Sequence, residues 1–255
     1  YDWANSAFAT TVMAGFFPLF FDQYWADPNN QAESTFYLGI GNSIASLIVA
    51  ALAPFIGAVA DRGSVKKKFL ILFAFLGIIM TGSLWIVEEG HWKMAVMFYI
   101  LATVGFAGGN IFYDSLLPSI TSNDKIDWVS SLGLGLGYIG GGLLFLVNVI
   151  MFLNPGMFGI PDGATAIKLS FITVAIWWAV FTIPIWLFVK EPEIYEPTSL
   201  LKAFSLGWIQ LVNTFREIRH LKVVLLFLLA YWFYIDGVDT IVKMAVKYGL
   251  DLGFP

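Results

Sequence analysis

The chain has 255 residues, 58% hydrophobic and 13% charged, with a formal net charge of −4 and a mean hydropathy of +0.77. A water-facing domain of this length carries about a quarter charged residues, so this chain could not cover an aqueous surface, and its charge gives nucleic acid nothing to hold. It has no Cys, which excludes disulfides and cysteine-ligated metals, and its two His, His91 and His220, fall in different loops, so no metal centre or cofactor is expected.

Seven stretches are long and apolar enough to cross a bilayer core, which takes about 20 residues per helix. In chain order they run 3–25, 36–60, 69–87, 93–117, 129–153, 167–189 and 222–244. Each is expected to be helical, because a segment in lipid must satisfy its own backbone hydrogen bonds. The predicted class is therefore an all-α polytopic membrane protein. It divides into a six-span bundle over 1–190, a connector over 191–221, and the start of a second bundle over 222–255. The chain begins at Tyr1 and ends in an apolar region, which reads as a fragment.

The first span carries Asp2, Asn5 and Ser6 at steps of three and four, so they share a face. The second span carries Asn42. It runs into the loop Gly57-Ala58-Val59-Ala60-Asp61-Arg62-Gly63-Ser64-Val65-Lys66-Lys67-Lys68, where Gly57 would let helices approach closely and Asp61 stands at a helix end. Span 4 carries Asn110 and Asp114. Span 5 holds Gly133, Gly137 and Gly141 four apart, a packing face of small residues, and Asn148 further along.

After span 6 comes Glu191-Pro192-Glu193-Ile194-Tyr195-Glu196-Pro197, which its prolines keep extended. Leu201, Phe204, Trp208, Leu211, Val212, Phe215 and Ile218 then recur at helical spacing with Lys202, Arg216 and Arg219 between them, as in a helix lying on a membrane surface. Span 7 carries Asp236, Asp239 and Lys243 on one face, and Asp239 and Lys243 are placed to neutralise each other.

Ionisable groups at mid-bilayer cost at least about 2.5–3.5 kcal/mol on insertion scales and usually face a cavity or one another. Asp2, Asn5, Ser6, Asn42, Asn110, Asp114, Asn148, Asp236 and Asp239 are accordingly the candidates for a substrate or coupling pathway. Asp236, with no local partner, is the sharpest of them, while Asp2 and Asp114 fit helix capping near an interface equally well. The glycine run fits close packing as well as a transport role.

Ten of the fourteen Lys and Arg fall in the loops after spans 2, 4 and 6 and their flanks, and four on the other side. The positive-inside rule puts the first set, and Tyr1, in the cytoplasm.

The Gly57–Lys68 loop resembles the signature loop of the major facilitator superfamily, with Gly63 one residue early and Ser64-Val65 ahead of the lysines. Together with Tyr1-Asp2-Trp3-Ala4-Asn5-Ser6-Ala7-Phe8, Tyr113-Asp114-Ser115-Leu116-Leu117-Pro118, the Gly137–Asn148 run and Ala230-Tyr231-Trp232-Phe233-Tyr234-Ile235-Asp236-Gly237-Val238-Asp239-Thr240, it resembles the bacterial relatives of the autophagy-related vacuolar amino-acid effluxers, a branch of that superfamily. The resemblance implies a twelve-span fold of two six-span halves with a central site and alternating access. Gly57, Asp61, Arg62, Gly63, Lys66 and Lys67 would form its cytoplasmic gating motif.

The implied function is secondary active transport of a small solute, an amino acid, across a bacterial cytoplasmic membrane, with proton coupling as an option and no enzymatic activity. The alternatives are export of another solute, such as a drug or metabolite, or a seven-helix retinal protein with Asp239 and Lys243 as counter-ion and Schiff-base lysine. An inward Tyr1 opposes the retinal reading. A membrane-embedded enzyme is opposed by the lack of any Ser–His–Asp set or His/Glu metal spacing.

Overall fold

The structure is a computed structural model that describes residues 1–27, 30–62, 65–191, 208–209, 212–214 and 216–252. Seven of its helices are long and apolar enough to cross a membrane. They are α1 (Asp2–Trp25), α2 (Gln31–Arg62), α3 (Lys66–Ser83), α4 (Trp92–Ile120), α5 (Ile126–Leu153), α6 (Gly163–Phe188) and α7 (Lys222–Asp251).

Each predicted span matches one helix, but several helices run further. The second begins at Gln31 and ends at Arg62, and its 32 residues make a rod of about 48 Å, against a hydrocarbon core of about 30 Å. Hydropathy marks only the part in hydrocarbon, whereas the hydrogen-bond ladder continues into the interface. Within the expected surface helix, residues 208–209, 212–214 and 216–218 are helical. Its other apolar positions, Leu201, Phe204, Leu211 and Phe215, lie outside the described residues, as do Lys202 and the segment 192–197.

α1 is wound in two ways. It is α-helical over Asp2–Ala7 and Phe17–Phe20 and π-helical over Phe8–Phe16 and Phe21–Trp25. The Phe17 N–H donates to Val12 O, and the Ala26 N–H reaches Phe21 O at 2.8 Å, both five residues back. A change of winding interrupts the ladder, and Pro18, which has no N–H to give, stands at one such break.

α1 is also the centre of the bundle. Ala4, Ala7, Phe8, Val12, Phe17, Phe21 and Trp25 are fully buried, against Phe171 and Trp178 of α6 and Tyr99 of α4. The Phe17 and Tyr99 rings stack at 4.0 Å, and Trp177 Nε1 donates to Trp3 O at 2.8 Å. In lipid, where tails are as apolar as the side chains, such packing and buried hydrogen bonds hold helices together.

Glycines set the closest approaches. A Cβ on Gly105 of α4 would stand 2.4 Å from Gly77 N of α3, so these backbones touch because neither residue has a side chain. α6 starts at Asp162, whose carboxylate accepts the Thr165 N–H at 2.7 Å. That cap holds the Asp162 carboxyl below its ordinary value.

Candidate functional site

The polar residues of the spans gather in two places. The first lies where the start of α1 meets α4 and α5. Asn5, almost fully buried, donates through Nδ2 to Asn110 Oδ1. Tyr113 OH donates to Asp2 Oδ2 at 3.0 Å. Asp114, one residue on, is exposed.

Ser6 turns instead toward α5, and so does the backbone of Asp2. A Cβ on Gly137 would stand 2.7 Å from Ser6 Oγ, and one on Gly141 would stand 2.8 Å from Ser6 O. One on Gly133 would meet Asp2 Oδ2 at 2.8 Å. Gly133, Gly137 and Gly141 are thus the surface on which α1 lies, and Thr10 Oγ1 crosses that seam to donate to Gly141 O at 3.1 Å. The face shared by Asp2, Asn5 and Ser6 is divided between two neighbours, with Asn5 on α4 and Ser6 on α5.

The second place is a cleft of about 360 Å³ between α2 and α7. Asn42, Ser43 and Ser46 line it from α2, and Asp236, Asp239, Thr240 and Lys243 from α7. Tyr99 OH donates to Asn42 Oδ1 at 3.0 Å and fixes that amide. Lys243 Nζ stands 3.6 Å from Asp239 Oδ2, the lysine side chain 16% exposed and the aspartate 60%. Asp236 opens on the same cleft and has no ion-pair partner among the described residues. Two carboxylates, one ammonium, an amide and three hydroxyls therefore border a space of small-molecule size.

Further along α7, Lys247 pairs with Asp22 of α1 at 3.0 Å, the two side chains 1% and 9% exposed. The sequence offered two signs of this pair. Asp22 is an acidic residue in the last turn of span 1, and Lys247 is a second cation four residues after Lys243. Neither sign says that the two meet. Ser43, Ser46 and Thr240 were also missed, because small hydroxyl residues in apolar helices carry no periodic signal.

Asn148 stands apart from both places. It is fully buried and accepts the Thr173 hydroxyl at 3.0 Å, so it pins α5 to α6. Near the end of α2, a Cβ on Gly57 would meet no described atom within 4 Å, so the close helix approach expected there is not seen among the described residues. Asp61 and Arg62 end the helix, their side chains outside the described residues, as is Gly63 altogether. Lys66 Nζ donates to Ser115 O at 2.8 Å and Lys67 Nζ to Val189 O at 2.8 Å, while Glu191 Oε1 accepts the Lys66 N–H. The lysines thus tie the start of α3 to the ends of α4 and α6. Among the described residues no three His, Cys, Asp or Glu side chains gather as a metal site.

Residues 28–251 match the family model described as vacuole effluxer Atg22 like. The uncharacterised MFS-type transporter YxiO of Bacillus subtilis (strain 168) is 39% identical over 99% of this chain and 59% of its own. Autophagy-related protein 22 of Pichia angusta is 25% identical over 91% of this chain and 48% of its own. The protein of that name from Saccharomyces cerevisiae is 26% identical over 90% and 49%. The chain therefore spans about half the length of the curated relatives it matches. No solved structure matches it.

Proposed function

The chain belongs to the Atg22-like vacuole effluxer family and has the helical, membrane-spanning fold of major facilitator-type proteins, and from that premise we propose that the whole protein is a secondary active transporter of amino acids. The observation that carries the reading is the α2/α7 cleft. A free amino acid presents one ammonium and one carboxylate a few atoms apart, and the cleft offers the complement of each.

The ammonium goes to Asp236, the one carboxylate there without an ion-pair partner among the described residues. The carboxylate goes to Lys243, whose contact with Asp239, at 3.6 Å, is loose enough to yield a hydrogen to a better acceptor. Asn42, held by Tyr99, and the hydroxyls of Ser43, Ser46 and Thr240 complete the shell.

Alternating access needs a contact that closes one end of the cleft and breaks when that end opens. Asp22 and Lys247 supply it between α1 and α7. The charge bias puts that end outside and Tyr1 inside, and the Bacillus relative supports a bacterial cytoplasmic membrane. The lysine ties of the Gly57–Lys68 loop brace the opposite side. Asp236 also serves as the proton-coupling group, because a carboxylate that binds the substrate's ammonium can take a proton once the ammonium has left.

The test is counterflow of labelled amino acids in liposomes that hold the whole protein, with and without a pH gradient. The expected result is exchange that a pH gradient drives, and its loss by tenfold or more in Asp236→Asn with the protein still folded. Wild-type flux in Asp236→Asn removes that residue from the mechanism. No exchange of any amino acid removes the substrate class and leaves the family membership standing.

A further inference from the structure

A second site, away from the cleft, lies on the outside of the bundle where α3 and α6 run side by side. It has two connected parts. One is a cavity of about 440 Å³ at the start of α3, bordered by Lys67, Lys68 and Glu191. The other is a shallow apolar groove of about 170 Å³ that runs down between the helices along Phe75, Ile78, Ala179 and Ile183. Ile71 and Trp186 border both. Its walls belong to α3 and α6, whereas α7 lines its cleft with α2 and packs on α1.

The chemistry changes along this path within one helical turn, from two ammonium groups at Lys67 and Lys68 to aliphatic walls from Ile71 onward. Trp186, 59% exposed, stands at the change. Trp gathers at the level of lipid headgroups. Lysines there attract anionic lipid, and a ring of hydrocarbon below them is where an acyl chain would lie.

The charges at the head are accounted for one by one. Lys66 is turned away to Ser115 O. Lys67 spends one N–H on Val189 O and keeps two. Lys68 is exposed. Glu191 is already engaged, its Oε1 on the Lys66 N–H. The cavity wall therefore carries two positive charges and one negative, a net charge of one sign that a phosphodiester complements.

We propose that the α3/α6 groove binds one anionic phospholipid, its phosphate against Lys67 and Lys68 and an acyl chain along Ile71, Phe75, Ile78 and Ile183. A free phosphate satisfies the head of this site but leaves the groove empty, and a zwitterionic lipid fills the groove but gains nothing from the net charge. Only an anionic lipid uses both parts.

Trp186 reports on the site. The whole protein in detergent micelles is titrated with phosphatidylglycerol or phosphatidylcholine carrying brominated acyl chains, and the fluorescence due to Trp186 is taken as the difference from Trp186→Phe. The expected result is quenching at a mole fraction of phosphatidylglycerol on the order of tenfold lower than of phosphatidylcholine. In Lys67→Gln/Lys68→Gln the two lipids become equal, and in Ala179→Phe, which fills the groove, both quench less.

Lys67 also bonds Val189 O, so Lys68→Gln alone serves where the double variant fails to fold, and it is expected to remove part of the preference. Equal quenching by the two lipids in the unmodified protein overturns the proposal, as does a preference that survives loss of Lys68 undiminished. Release of phosphatidylglycerol by millimolar inorganic phosphate assigns the head to a free anion and overturns it too.

Discussion

α1 and α7 look alike on paper and live differently. Each is an apolar helix with three polar residues on one face. Yet 72% of the most apolar stretch of α1 is buried inside the bundle, and none of that of α7 is. In α1, Ala4, Ala7 and Val12 are fully covered, whereas Val223, Phe227, Trp232 and Phe233 of α7 are 65–81% exposed. Within this chain, about half the length of the relatives it matches, the difference lies in the partners each helix has and not in the helices themselves. α1 has the glycine stripe of α5 on one side and the aromatic rings of α6 and α4 on another. α7 touches the bundle through little more than the cleft with α2, the surface of α1 and the Asp22–Lys247 pair.

That contrast can be broken most sharply at the ion pair. Taking away one member of a buried pair leaves an uncompensated charge and costs about 3–5 kcal/mol. Asp22→Asn or Lys247→Met alone should therefore lower the thermal unfolding temperature in detergent far more than any other change on α7. The double variant Asp22→Leu/Lys247→Met should recover most of the loss, and singles as mild as surface changes would show that α7 is held by other means.

The next effect concerns glycine. In Gly141→Ala the new Cβ meets the backbone of Ser6, which cannot step aside, and overpacking of this kind costs about 1–3 kcal/mol. No described atom lies within 4 Å of the corresponding position on Gly237 of α7, so Gly237→Ala should be neutral or gain about 0.5–1 kcal/mol of helix stability. A loss at Gly237 in the whole protein would sharpen the comparison in another way, by showing that further protein covers that face of α7.

A smaller effect is expected at Asp239. Its side chain is 60% exposed and its contact with Lys243 loose, so Asp239→Asn should change stability by about 0.3–0.5 kcal/mol, read by the same unfolding assay.

The smallest effect lies outside the spans. The Asp162 carboxyl is held below its ordinary value of 3.8 by the Thr165 N–H, with the Thr165 hydroxyl second. Its contribution to α6 is therefore present above that ordinary value and is lost as pH falls through the lower, folded one. Hydrogen exchange at the Thr165 amide should show extra opening only at strongly acidic pH. Asp162→Ala should show the same opening at neutral pH.

The spans were legible because hydropathy and length are local properties, and the stripe of Gly133, Gly137 and Gly141 was legible because a spacing of four fixes a helix face. What the sequence could not carry was pairing between distant helices. Asp22 and Lys247 stand near opposite ends of the chain, and no local pattern joins them.

The polar residues show the same limit from another side. Asn42, Asp236 and Asp239 do line one cavity, but Asn148 bonds Thr173 inside a helix seam. From sequence alone, an amide facing a cavity and an amide pinning two helices are the same letter. The mixed winding of α1 was equally hidden, since the side chains of Phe8–Phe16 suit either ladder and only the hydrogen-bond partners tell them apart.

That winding bears on how the chain tolerates changes in length. A turn bonded five residues back is an ordinary turn with one residue added. Nine residues wound this way make about two turns, so a single residue lost from Phe8–Phe16, with the rest closing as a plain helix, turns Asp2 and Asn5 against the far end by less than the ~100° that the same loss costs in a plain helix. α7 has no such slack between its site and its anchor. One residue deleted between Asp236 and Lys247 would swing the aspartate by about 100° relative to the lysine, out of the cleft it lines. A deletion should therefore disturb the phase of the buried helix less than that of the exposed one, the reverse of what burial alone would suggest.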